Sequence, residues 1–149
     1  MAIHDIGLHR SVREQLRANE TPDQIVYMST RHRLWLPFCV AAFGAFVALG
    51  TVLEFEGWPS RIALGGVGAA IGILATTEYR VLASTEKHVI LLRASRIRKR
   101  AVEVMSRLPL TVEMELMASN LVNAEYKVDG RIYTVLYRYR SQMDAIVAR

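Results

Sequence analysis

Five cations fall within eight residues: Arg93, Arg96, Arg98, Lys99 and Arg100, with Lys87 shortly before them. Such a run can contact phosphate or carboxylate groups, and it is the one constellation in the chain that suits a ligand. The other reactive residue types are poorly spaced for chemistry. His4, His9, His32 and His88 are scattered, none at metal-ligand spacing with a Cys, Asp or Glu. Ser84 and Ser106 lack the Gly-x-Ser-x-Gly surroundings of an activated nucleophile. The chain has no Gly-x-x-x-x-Gly-Lys and no Gly-x-Gly-x-x-Gly loop for nucleotide phosphates. Cys39, the single cysteine, has no partner for an internal disulfide and lies in an apolar run, where it reads as a small apolar side chain. Glu113 and Glu115 alternate outward on an expected strand and read as solvated. The expectation is a protein that is not an enzyme, with no cofactor and no metal.

The basic run has three readings: a solvated cluster that sets topology, a contact with anionic membrane lipid, or a specific site for phosphate or an acidic protein. Each cation close to a membrane exit contributes about 1 kcal/mol toward anionic lipid. Residues 96–104 are expected to form a strand, with Arg96, Arg98 and Arg100 on one face. No nucleic acid is expected as partner, since Tyr133, Tyr137 and Tyr139 lie on a different strand from the basic run.

The elements that position this run begin with two apolar blocks. The chain has 149 residues, 52% of them apolar, yet a mean hydropathy of only +0.18, so apolar segments alternate with polar ones. Residues 34–53 and 62–77 carry no charge. The first reaches about 30 Å as a helix, one hydrocarbon thickness. The second reaches only about 24 Å, so it spans if Arg61 snorkels and the helix runs on past Glu78. Trp35, Tyr79 and Trp58 stand at the expected interfaces. The connection 54–61 holds Gly57 and Pro59 as turn residues and closes a helical hairpin. Gly65, Gly68 and Gly72 on the second helix, and Ala41, Ala45 and Ala48 on the first, form small-residue stripes suited to helix packing. They serve the hairpin itself, or also a homo-oligomer or a membrane protein partner.

Lys and Arg counts set the orientation. Arg31 and Arg33 precede the first block, and the basic run follows the second, whereas the connection holds only Arg61 beside Glu54 and Glu56. Both termini are therefore expected in the cytoplasm of a multi-pass plasma-membrane protein. The division expected is a cytoplasmic N-terminal segment 1–33, the hairpin 34–77 and a cytoplasmic domain 78–149.

In the N-terminal segment, residues 8–20 read as a short polar helix with Leu8, Val12 and Leu16 on one side, lying on the inner leaflet or packed on a domain. Residues 24–30 read as a short strand. After Ser84 the pattern becomes strand-like: 88–92, 96–104, then 111–116 with Val112, Met114 and Leu116 inward, 122–128, and 131–139 with Tyr133, Val135, Tyr137 and Tyr139 on one side. Asp129-Gly130 signals a tight hairpin. Met143, Ile146 and Val147 suit a last helix facing the sheet. The fold class expected is membrane α+β: a two-helix transmembrane hairpin followed by a small antiparallel β domain with a C-terminal helix.

Three stretches carry a resemblance. Residues 20–37 combine an acidic residue, the apolar strand Ile25-Val26-Tyr27 and Arg31-His32 before a Trp- and Pro-containing span; the two-span hairpin follows; then come the stretch from Leu82 to Leu92 and the step Met105-Ser106-Arg107-Leu108-Pro109. In this order they resemble the bacterial pleckstrin-homology-like membrane proteins. The resemblance implies a PH-like barrel without catalytic residues; a full barrel of that kind has seven strands, and here it is either truncated or completed by residues 24–30. It also implies an anion site in which Lys87 stands before Arg96-Ile97-Arg98. The function expected is a membrane-anchored binding or scaffolding module at the inner leaflet. An accessory subunit docked through the glycine stripe, and a holin-like hairpin, are the alternatives.

Overall fold

A computed structural model describes residues 3–17 and 19–148, with side chains from residue 6 onward. The side chain of His4 and residue Ala18 lie outside that description. The chain forms two compact units: Met1–Thr30 together with Glu78–Arg149, and Arg31–Thr77.

The second unit is a hairpin of two apolar helices, α2 (Trp35–Val52) and α3 (Trp58–Thr76). Both are long and apolar enough to cross a membrane. Helix α3 corrects the expected bounds. It starts four residues before residue 62, with Pro59 in its first turn, where a missing N–H is harmless. Nineteen residues give about 28 Å, so no continuation past Glu78 is needed. The helix stops where Thr76 and Thr77 turn their hydroxyls back on the last carbonyls, Oγ1 donating to Gly72 O (2.8 Å) and Ile73 O (2.7 Å). At its other end, α2 closes with Phe55 N–H donating to Gly50 O (3.0 Å) and Glu54 N–H to Thr51 O (3.2 Å). Glu54 there adopts φ 56°, the left-handed position that glycine usually fills.

The first unit is a seven-stranded antiparallel sheet with strand order β4-β3-β2-β1-β7-β6-β5. The strands are β1 (Gln24–Arg31), β2 (Thr77–Ser84), β3 (His88–Ala94), β4 (Ala101–Pro109), β5 (Met114–Ser119), β6 (Asn123–Val128) and β7 (Arg131–Leu136). Two meanders, β2-β3-β4 and β5-β6-β7, thus meet on either side of β1. Ile25, Val26, Tyr27 and Met28 of β1, and Val81, Leu82 and Ala83 of β2, are buried whichever way they point. Over these stretches neither face of the two central strands meets water, which is why Ile25–Met28 and Val81–Ala83 are unbroken apolar runs and not alternation.

Two helices cover the sheet. Helix α1 (Ile3–Gln15) buries Leu8 and Val12, and Ser11 Oγ accepts the Ala101 N–H (3.0 Å) while donating to Leu8 O (2.9 Å). It is therefore a domain-packed helix, and the inner-leaflet alternative is set aside. Helix α4 (Arg140–Val147) buries Met143 and Ile146.

Four strand expectations change. Residues 77–84, expected as the end of a helix, form β2, where Thr77, Tyr79 and Val81 suit a strand. Residues 95–100 are a loop, and β4 begins only at Ala101. The 111–113 stretch is a turn and its connection, so β5 starts at Met114; Leu116 shares the inner side with its partner Tyr126 but stays exposed on an edge strand. Residues 137–139 form a 3-10 turn, which leaves Tyr137 exposed while Tyr139 is buried.

Candidate functional site

The β3–β4 connection is built by Ser95. Its N–H donates to Arg100 O (2.8 Å), and its carbonyl accepts the Lys99 N–H (3.1 Å), which closes a compact loop over residues 95–100. Closure needs Lys99 at φ 48°, a conformation most L-residues avoid. Arg93, Arg96, Arg98 and Arg100 are exposed and Lys99 is half-buried. Five of the expected site residues are therefore brought together, but by a loop. The shared strand face for Arg96, Arg98 and Arg100 does not exist.

Lys87 is not part of this cluster. It lies in the β2–β3 turn, at the other end of the seven-residue β3. Seven strand residues span about 20 Å, too far for Lys87 and the Arg96–Arg98 pair to hold one phosphate. Lys87 instead lines an open cleft of about 480 Å³ with Arg17, Glu20, Thr85 and His88. Glu20 there is ion-paired with Arg107. Burial works to raise the Glu20 carboxyl, but the Arg17 N–H and the Arg107 guanidinium hold it below the usual carboxylate range.

The register fixes which end of the sheet bears the loop. Arg93 of β3 lies opposite Arg80 of β2, and Ser84, at the far end of β2, lies opposite Val89. Strand β2 begins where the chain returns from the hairpin, and β1 ends where the chain enters it. The basic loop therefore occupies the sheet end at which the chain passes into and out of α2–α3. Arg80 itself is buried and paired with Glu78, and Glu103 lies opposite Arg93 on β4. The β6–β7 turn is at the same end of its strands: Thr30 Oγ1, on the last turn of β1, donates to Ile132 O (2.9 Å). It adds Arg131, exposed, which the run in sequence does not contain.

Sequence reasoning missed Ile97. It stands at the loop tip, 91% exposed, between Arg96 and Arg98. An alternating strand pattern concealed it, because Ile97 would then simply have pointed inward.

Within the hairpin, the glycine stripe meets α2. A Cβ on Gly68 would stand 2.6 Å from the Ala42 carbonyl oxygen and 2.7 Å from the Phe46 ring, and one on Gly72 would stand 3.1 Å from Cys39 Cα. Gly65 is closed in the same way by Val47 and Phe43. The face of α2 that receives them holds Cys39, Ala42 and Phe46. Ala41, Ala45 and Ala48 are exposed on other sides of that helix, so their assignment to packing within the hairpin is corrected.

Among the described residues, no three His, Cys, Asp or Glu side chains come together as metal ligands. No protein-family model, no curated protein and no solved structure matches the chain.

Proposed function

We propose that the protein is a non-enzymatic binding module anchored by α2–α3 in a bacterial plasma membrane, with both ends cytoplasmic and the sheet unit of PH-like type. The observation that carries this reading is the insertion of a hairpin of two long apolar helices, charged only around its connection, between the two central strands of an ordered sheet. The hairpin exposes Leu36, Phe38, Val40, Ile62, Val67 and Ile71. A water-soluble protein rarely leaves so much contiguous apolar surface open, whereas lipid solvates it. Seven strands arranged as two meanders about β1, with a closing C-terminal helix, support the PH-like reading.

Anionic lipid is the partner that the charges suit best. Arg93, Arg96, Arg98, Arg100 and Arg131 at this end of the sheet are exposed, and each exposed cation adds about 1 kcal/mol near an anionic surface. A partner docked on the glycine stripe would have to displace α2, so the accessory-subunit alternative loses the face it was built on. An ordered sheet with a buried core also argues against a holin-like hairpin.

The test uses the full chain expressed in bacterial membranes. It should resist alkaline extraction, and a tag after residue 149 should react in inverted vesicles but not in intact cells. Release by alkali sinks the anchor, and a tag reachable from outside intact cells sinks the orientation. In nanodiscs, hydrogen exchange of residues 95–100 should slow with phosphatidylglycerol compared with phosphatidylcholine. The triple variant R96E, R98E and R100E should lose that difference; an undiminished difference sinks the lipid role.

A further inference from the structure

We infer that the β3–β4 loop is a lipid-inserting tip: Ile97 enters the acyl boundary of an anionic bilayer while Arg98, Lys99 and Arg100 engage headgroup phosphates. This rests on the membrane-anchor reading and goes beyond it, because anchoring by the hairpin needs no contact from the loop.

The loop has the amphipathic character of an interfacial device on a small scale. Its one large apolar side chain is 91% exposed and lies among five cations. An isoleucine so open gains nothing from the fold and would lose contact with water on entering lipid. The loop is also ordered before any contact. Ser95 ties both ends through its N–H and its carbonyl, and Lys99 adopts the left-handed turn, so little ordering cost is left for binding. Guanidinium groups match phosphate oxygens through paired N–H donors, which suits Arg98 and Arg100 to headgroups.

Position within the sheet selects this tip over the other open apolar tip. Leu121 is 95% exposed in the β5–β6 turn. It is flanked by Ser119, Asn120 and Asn123, without a cation. The pairing of Asn123 with Leu136, and of Met28 with Val135, sets that turn at the opposite end of β1 from the hairpin junctions. Ile97 is at the junction end. The two tips are thus matched in exposure and opposed in charge and position, which makes Leu121 an internal control.

The experiment uses the full chain with Cys39→Ala and a single new cysteine, Ile97→Cys or Leu121→Cys, each carrying a polarity-sensitive fluorophore. Each is reconstituted in vesicles of phosphatidylethanolamine and phosphatidylglycerol, or of phosphatidylcholine alone, with and without doxyl-labelled lipid. In anionic vesicles the probe at 97 should shift to shorter wavelength and lose intensity to doxyl lipid, while the probe at 121 should do neither. Adding R98E and R100E should abolish the response at 97. The inference is overturned if the probe at 97 behaves like that at 121, or if its quenching is equal in phosphatidylcholine, since the cations would then select nothing. Alkaline extraction of the same vesicles separates the two readings. A chain that stays bound with a water-exposed probe at 97 retains its anchor and loses its inserting tip. A chain that is released loses both.

Discussion

Tyr27 and Tyr126 are both buried, and burial, with neighbouring groups, pushes both phenols up to about 12. Their hydroxyls differ. The Tyr126 hydroxyl donates to Asp144 Oδ1 (2.6 Å), which fixes α4 to β6, whereas the buried Tyr27 hydroxyl has no hydrogen-bond partner among the described residues and its ring stacks on Tyr79. At neutral pH, Tyr126→Phe should therefore cost about 1–2 kcal/mol through the lost charge-assisted bond, and Tyr27→Phe should be neutral or stabilise by about 1 kcal/mol by removing an orphaned hydroxyl. The pH dependence follows from the direction of the shifts. A phenol raised on folding stabilises fully below its unfolded pKa, near 10, and that contribution is lost as pH rises through the folded value of about 12. Thermal melts of the sheet unit should fall steeply in that window, and each Phe variant should flatten the fall. A melt of Tyr27→Phe that drops at neutral pH as far as that of Tyr126→Phe would show that Tyr27 has a partner.

At the scale of the element, the hairpin separates glycines that the packing needs from others, Gly44 and Gly66, that it does not. Gly68 faces a backbone oxygen that cannot move aside, whereas a Cβ on Gly66 meets nothing within 4 Å. Gly68→Ala should force α2 and α3 apart at a cost of about 1–3 kcal/mol, and Gly66→Ala should cost little. Cys39 is the reporter, because it packs against Gly72 and is the single cysteine. Alkylation of Cys39 by a membrane-permeant maleimide should accelerate in Gly68→Ala and stay at the parental rate in Gly66→Ala; equal rates in both would mean that the two helices do not pack through this face. This stripe was legible from spacing alone. The start of α3 was not, because Gly57 and Pro59 serve equally well as a turn or as a helix N-terminus, and only the length of the span favours the second use. The basic run was misread for a related reason. Arg-Ile-Arg alternates as a strand does, and nothing local announces that Ser95 will close a loop or that Lys99 will take a positive φ. Asp129-Gly130, where both residues do take positive φ, was legible because the residue types themselves favour that turn.

At the scale of the whole chain, the sequence order hides the central fact of the sheet. Strand β1 is separated from its neighbour β2 by the entire hairpin, so a reading that moves along the chain finds a short N-terminal strand and a later domain of five strands. The sheet joins them: Asp23 N–H donates to Ser84 O (2.8 Å), and Met28 pairs with Val135 of β7. Residues 78–149 alone would lack the strand that links their two meanders, and the buried Ile25, Val26, Tyr27 and Met28 with it. At about 1.5–3 kcal/mol for each large buried side chain, that loss of about 6–12 kcal/mol equals the whole stability of an ordinary domain. The segment 78–149 should therefore fail to fold by itself. Restoring β1 should rescue it without the membrane. His32 N–H donates to Thr76 O (3.0 Å), so the two ends of the hairpin are a strand spacing apart and a short turn can replace it. A chain of residues 1–31 joined by Asn-Gly to residues 77–149 should be soluble, give dispersed amide resonances and melt cooperatively, whereas 78–149 should give neither. If 78–149 folds cooperatively alone, β1 is dispensable and the hairpin is a linker outside the sheet's architecture. If the joined chain also stays unfolded, the helices are needed to form the sheet, and the two units are one folding unit.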